Sequence, residues 1–313
     1  MHRHIISGNW RLGFTLAVVA MLFWATLPIA LKLALNILDA WTLTWFRFLI
    51  AALVTASWVI FRHGLKEFRR LKSGSWLLLL VAAVMLIANY ILYLLGLERT
   101  TPAAVQILIQ LAPLLMAVGG LLVFGERYSR VQWSGFILLL LGLGLFFHDQ
   151  LKSVAGQLDR YVAGILIIIL AAVVWAIYAL AQKQLLRDIH SQSIMGFIYL
   201  FASLSLLPAA EISDIGLIAG WQWLIIAYCA FNTIAAYGAF AEALNHWETS
   251  RVGTILSVTP LGTLLFALAM NHYWPAALEP ENINLIGWTG ALLVVAGSMM
   301  TSLGGRRNSL AAS

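Results

Sequence analysis

The chain is poor in charge and almost without cysteine, and both shortages are restrictive. Only 10% of its 313 residues are Asp, Glu, Lys or Arg, where a soluble domain carries about a quarter. A separate water-exposed domain is therefore excluded. The longest gaps between apolar stretches, Arg62 to Ser75 and Asp149 to Tyr161, are too short to bury a core and read as connections. Cys229, the one cysteine, lies in an apolar run, which excludes internal disulfides and cysteine-rich metal sites and reads as a packed thiol. Acidic residues are missing from the middle of every apolar stretch, and Glu98 and Glu242 stand near stretch ends. A proton-coupled carrier often keeps an ionisable group in its pathway, so proton antiport is no better supported than gradient-driven exit.

Catalytic patterns are equally scarce. His63, His148, His190, His246 and His272 fall at the ends of stretches, and His2 and His4 in the N-terminal tail, which disfavours a haem-binding pair in a core. No HExxH pattern and no Ser with His in mid-stretch occurs. Gly142-Leu143-Gly144 lacks the third glycine of a nucleotide loop and lies inside an apolar run, so close helix packing explains it better. The expectation is a non-enzyme with no cofactor and no metal site. The net charge of +6 sits in short connections beside the apolar stretches, which suits membrane topology rather than nucleic acid.

What is abundant is apolar length: 62% of the residues are hydrophobic. Ten stretches follow one another, each long enough to cross a hydrocarbon core about 30 Å thick. They run at Leu12–Leu35, Trp41–Phe61, Trp76–Leu97, Pro102–Phe124, Val131–His148, Val162–Leu186, Ser191–Ala210, Trp221–Ala243, Thr249–Asn271 and Ile283–Leu303. The fold class is an all-α integral membrane protein in contact with lipid. The first stretch exceeds a signal-peptide core and lacks a convincing cleavage site, so it reads as a helix. With a cytoplasmic N-terminus, fourteen Lys and Arg, from Arg3 and Arg11 to Arg306 and Arg307, lie on the cytoplasmic side. The opposite side receives Lys32, Arg99, Lys152 and Arg160. The positive-inside rule then puts both termini in the cytoplasm.

The chain also repeats itself. Ala20, Trp24, Ala25, Ala30 and Lys32 of segment one match Ala171, Trp175, Ala176, Ala181 and Lys183 of segment six, at a constant offset of 151. Tyr90, Leu97, Pro113 and Leu114 match Tyr237, Leu244, Pro260 and Leu261 at an offset of 147. Trp133, Gly135, Leu138 and Gly142 match Trp288, Gly290, Leu293 and Gly297 at 155. Two units of five segments result, at 12–148 and 162–303. Five is odd, so the second unit enters the membrane from the opposite side. Inverted repeats of this kind are a transporter architecture.

The stretch Leu97-Glu98-Arg99-Thr100-Thr101-Pro102-Ala103-Ala104, continuing to Leu111-Ala112-Pro113-Leu114 and Phe124-Gly125-Glu126-Arg127, resembles EamA-type members of the drug/metabolite transporter superfamily. So do Phe23-Trp24-Ala25, Arg47-Phe48 and the small residues from Gly135 to Gly142. The resemblance covers nearly the whole chain. It implies ten helices in two inverted halves, a central cavity formed largely by helices one, three, four, six, eight and nine, and export of small metabolites from the bacterial inner membrane. Exporters of amino acids, aromatic ones included, and of other organic solutes are among such proteins. The chain departs from the pattern at the end of segment nine, where Asn271-His272-Tyr273-Trp274-Pro275 replaces the Gly-Glu of Gly125-Glu126.

Candidate solute-binding residues are the polar and aromatic groups in mid-segment. Gln106 and Gln110 are one helical turn apart on one face, with Pro113 closing the stripe. Amides there should face a cavity or bond another helix. Gly253, Ser257 and Pro260 form the matching face of segment nine. Asn89, Tyr90 and Tyr93, with Asn232, Tyr237 and Phe240, suit a pocket for a partly apolar solute. Trp24, and Trp175 with Tyr178, occupy paired positions of the two repeats. Pro28, Pro113 and Pro260 free the carbonyls of Trp24, Ile109 and Leu256 and mark bends or gates. Arg47 is the one basic residue near mid-span; it fits a carboxylate attractant, but a structural ion pair or interfacial anchor is favoured. Lys32 and Lys183 read as snorkelling side chains. The glycine-patterned segments five and ten are expected to support the repeats or a homo-oligomer contact. The expected reading is an inner-membrane secondary transporter exporting small organic metabolites, foremost amino acids or related amphipathic compounds, by alternating access through a central cavity, with a multidrug or organic-cation efflux carrier and a non-transporting scaffold or receptor as alternatives.

Overall fold

In hydrocarbon every backbone N–H and C=O must find a partner within the protein, so the apolar segments become helices. The computed structural model describes residues 9–62, 66–69, 71–153, 158–276, 278 and 283–303. The helices are α1 Trp10–Ala34, α2 Ala40–Arg62, α3 Ser73–Arg99, α4 Pro102–Leu108, α5 Leu111–Phe124 and α6 Arg130–Ser153. There follow α7 Leu158–Leu185, α8 Ser191–Leu206, α9 Gln222–His246, α10 Thr249–Leu256, α11 Thr259–Tyr273 and α12 Leu285–Leu303. Among the described residues nine spans are long and apolar enough to cross a membrane, α4 with α5 and α10 with α11 counting once each, and the apolar part of α2, Ala40–Thr55, is a shorter tenth. Of the positions named above, His2, Arg3, His4, His63, Arg306 and Arg307 fall outside the described residues.

Local chemistry sets the ends of these helices. The Asn9 side chain accepts the Leu12 N–H, and Thr101 accepts that of Ala104 with Pro102 at the first helical position. Gly125, at φ +65°, ends α5 in the left-handed conformation. Segments four and nine, expected as continuous helices, are each broken in mid-membrane, at Ile109–Gln110 and Ser257–Val258. Pro113 and Pro260 are the cause, since each ring displaces the carbonyl four residues earlier and supplies no N–H to it. The Ala112 N–H turns to the Ile109 carbonyl at 2.9 Å, and the Thr259 hydroxyl donates to Leu256. Pro28, by contrast, lies within a continuous α1. Beside it, Asn232 Nδ2 donates to the Phe23 carbonyl at 2.8 Å and Thr263 Oγ1 to that of Ala25 at 2.8 Å.

The two halves interlock about a pseudo-two-fold axis. A β-carbon on Gly135 would come within 2.7 Å of the Gly297 carbonyl, and one on Gly297 within 2.6 Å of the Gly135 carbonyl. Gly142 and Gly290 stand in the same reciprocal relation, 2.7 Å each way. The repeat offset carries Gly135 to Gly290 and Gly142 to Gly297, so α6 and α12 cross on the axis. These glycines serve contact within the chain. The α3–α7 and α1–α9 pairs exchange in the same way: Gly164 packs on Thr100, and Gly13 on Trp247. Alanine fills much of the remaining interior, as at Ala17, Ala20, Ala82, Ala83, Ala171 and Ala172, all 0% exposed. Small residues let helices approach where no hydrophobic force joins them. Large apolar side chains such as Leu122, Leu166 and Leu224 point outward toward lipid.

Candidate functional site

The two broken segments face each other across a cavity of about 500 Å³. Of the residues singled out in the sequence, Trp24, Arg47, Asn89, Tyr90, Tyr93, Gln106, Gln110, Pro113, Trp175, Tyr237 and Ser257 line it. Gln106 sits in α4 and Gln110 in the break before α5, so the break rather than a shared helical face aims both inward. Gln106 Oε1 accepts the Tyr93 hydroxyl at 3.2 Å, and Gln110 Oε1 accepts the Ser298 hydroxyl at 3.3 Å. Asn89 Nδ2 donates to the Ala171 carbonyl at 2.9 Å. These amides therefore border the cavity and join helices at once.

Asn232 and Tyr178, expected at the cavity, stand elsewhere. Asn232 is fully buried outside the lining and donates to Phe23 and to the Tyr228 hydroxyl. Five residues of helix separate it from Tyr237, which is a rotation of about 140° and not a common face. Tyr178 turns from the cavity to α8, donating to Met195 Sδ at 3.3 Å. Of the prolines expected as bends or gates, Pro113 lines the cavity, while Pro28 and Pro260 are buried behind it.

Aromatic side chains organise the centre. Tyr90 and Tyr237 are repeat counterparts that both line the cavity, with the pseudo-axis between them. Trp24 meets Tyr237 edge-on at 5.5 Å and tilts against Phe240 at 5.6 Å. Phe48 backs the Tyr90 ring at 4.6 Å.

Arg47 is neither an ion-paired residue nor an interfacial anchor. It is 3% exposed, its Nε donates to Thr233 Oγ1 at 3.1 Å, and its guanidinium lies 4.9 Å from the Tyr90 ring centre. No carboxylate pairs with it among the described residues. It is the one charged side chain of the described lining.

The two ends of the cavity differ. Toward the end remote from the chain termini, Leu31, Leu43, Leu97, Val105, Ile107, Leu108 and Ile226 belong to one buried apolar cluster. Lys32, expected to snorkel, is tied to α3 beside this cluster: its ammonium donates to the carbonyls of Leu97 at 2.8 Å, Glu98 at 3.3 Å and Thr100 at 2.8 Å. These carbonyls lie at the end of α3, beyond the reach of the usual N–H four residues on, and Leu97 also accepts the capping Thr100 N–H at 3.4 Å. At the terminal end the lining continues to Gly253, Thr301 and Ser302. Here Lys183, the counterpart of Lys32, pairs with Glu126 beside the Phe124 ring. The asymmetry coincides with the departure at segment nine. The offset that joins the repeats carries Glu126 to Tyr273, and Lys32 binds the end of α3.

This arrangement has relatives. The profile of the EamA-like transporter family matches residues 11–147 and again 162–303. The chain belongs to the EamA-like transporter family. An uncharacterized transporter of Haemophilus influenzae is 34% identical over 293 residues, covering 94% of this chain and 95% of the relative. The uncharacterized inner membrane transporter YhbE of Escherichia coli is 34% identical over 296 residues, covering 94% and 92%. A probable amino-acid metabolite efflux pump of Salmonella typhimurium is 24% identical over 307 residues, covering 94% and 95%. A crystal structure of a protein with 22% identity superposes with a TM-score of 0.61, over 97% of this chain and 99% of the other, and shares the fold.

In this EamA-like transporter the cavity draws on more helices than its sequence suggested. Phe136 and Leu139 of α6 and Ser298, Thr301 and Ser302 of α12 complete the lining, and Thr233 of α9 positions Arg47. A signal for α12 was present, since hydroxyls at 298, 301 and 302 recur at helical spacing on an otherwise apolar helix.

Proposed function

We propose that this membrane transporter exports small organic metabolites, foremost amino acids or related amphipathic compounds, across the bacterial inner membrane by alternating access. The observation that supports this is a cavity between the halves of an inverted repeat, with a buried apolar cluster toward one end and polar groups toward the other. Aromatic walls with a few amides and one positive charge suit a solute with an apolar body and a polar end. Organic cations fit less well, because no carboxylate of the described lining would neutralise them. The name of the Salmonella relative agrees with an amino-acid-like cargo. With the basic connections in the cytoplasm, the cavity faces the cytoplasm, ready to load an exporter.

Exchange between the halves supplies the second state. The repeat offsets carry Lys32 to Lys183, and Leu97, Glu98 and Thr100 to Leu244, Asn245 and Trp247. In the outward-facing state Lys183 leaves Glu126 for the carbonyls of Leu244, Asn245 and Trp247 at the end of α9, while Lys32 releases α3. The test of the reading is export of labelled amphipathic amino acids by the wild type and Gln110→Leu at equal membrane abundance. Reduced export by the variant is expected. Unchanged export would remove Gln110 and its cavity from the solute path.

A further inference from the structure

The feature that the fold alone leaves unexplained is Arg47. A guanidinium taken out of water costs several kcal/mol unless charge and hydrogen bonds repay it. Here it is 3% exposed and keeps one hydrogen bond, from Nε to Thr233. The Tyr90 ring contributes a cation–π contact at 4.9 Å, which offsets only part of the loss. The two Nη nitrogens, the edge of the guanidinium that engages an anion in parallel bonds, have no acceptor among the described residues. Arg47 also belongs to the cavity lining, and no acid of the described lining competes for it there.

Its surroundings specify what would complete it. One positive charge neutralises one negative charge, so a monoanion leaves no surplus, whereas a dianion would remain half unpaired. A carboxylate matches the planar fork of donors with two parallel acceptors. The aromatic group that begins beside it at Tyr90 and continues through Tyr237 to Trp24 and Phe240 offers apolar and π surface to the remainder of the same molecule. We propose that Arg47 is the carboxylate-binding residue of the cavity, so that the transported compounds are amphipathic monocarboxylates whose acid group docks on Arg47 and whose apolar body lies against the aromatic wall. This rests on the cavity being the transport site and adds the chemical group that selects the cargo.

Matched acids and amides test it. The purified full chain in detergent is titrated calorimetrically with 3-phenylpropionate, 4-methylpentanoate and N-acetylphenylalanine, each a monoanion, and with the neutral amide of each. Each acid is expected to bind about ten- to a hundredfold more tightly than its amide, the range for a charge-assisted pair in a dry site. Arg47→Gln should lower the acids to the level of the amides and leave the amides unchanged, while Arg47→Lys keeps part of the preference. Wild-type protein that binds no acid better than its amide overturns the proposal, and this comparison stands even if Arg47→Gln fails to fold. A folded Arg47→Gln that retains the preference overturns it too. Failure of the underlying reading looks different. Trp24→Ala and Gln110→Leu would then leave binding of acids and amides alike untouched, whereas an error about Arg47 alone leaves both variants impaired and only the acid preference missing.

Discussion

Replacing Lys32 by methionine keeps most of the apolar stem and deletes three donors. The ammonium holds the carbonyls of Leu97, Glu98 and Thr100 at 2.8, 3.3 and 2.8 Å, each such charged bond being worth about 1.5–3 kcal/mol net. If the outward-facing state recovers all but one of them through water, the difference between states is still one bond, or about a ten- to hundredfold shift in the equilibrium. Leu31, in the buried apolar cluster and 1% exposed, supplies the reporter. Leu31→Cys in a Cys229→Ala background is labelled from outside by a membrane-impermeant maleimide. Lys32→Met should raise the labelling rate by about tenfold or more, with Lys32→Arg between it and the parent. A rate unchanged by Lys32→Met, in protein of normal abundance, would refute the idea that this side chain keeps the outer end shut.

The helix crossing on the axis makes an opposite pair of predictions. Gly290→Ala would place a β-carbon 2.5 Å from the Phe146 nitrogen and 2.7 Å from the Gly142 carbonyl, and forcing the backbones apart should cost about 1–3 kcal/mol. Gly144→Ala meets nothing within 4 Å and should not lower thermal stability in detergent, the measurement that separates the two. The bond from Lys183, with that from Tyr128, holds the Glu126 carboxyl below the ordinary carboxylate range. A lowered value means that the pair persists at pH 5 to 7 and is lost only as the pH falls through that lowered value. Glu126→Gln should therefore increase outer labelling at Leu31→Cys at neutral pH, whereas wild type shows no such rise between pH 7 and 5.

Much of the fold was legible because its signals are local. Apolar length gives the spans, and Pro113 and Pro260 mark the two breaks, since the clash they create lies four residues away on the same segment. Tyr90 with Tyr237, and Trp24 with Trp175, could be paired from the repeat alone. Residues whose role depends on a distant partner could not be read so directly. Lys32 looked like a snorkelling lysine because the carbonyls it binds begin 65 residues further on. Arg47 suggested an ion pair because nothing local shows that the facing helices bring Thr233 and Tyr90, and no acid, to its head group. Asn232 and Tyr178 were misaimed for a rotational reason: residues three or five apart on a helix diverge by about 60° or 140°, which decides between cavity and neighbour. Gln106 and Gln110 reached the cavity by a route the helical wheel did not contain, the break between them.

The account rests on one cavity exposed in turn to each side of the membrane, and counterflow measures that most directly. Proteoliposomes holding the purified chain and preloaded with unlabelled phenylalanine or leucine are diluted into trace labelled compound with no ion gradient. Alternating access predicts a transient accumulation of label above its final level, lost in Arg47→Gln. Label that only equilibrates, or that fails to enter for every amphipathic carboxylate tried, would contradict it.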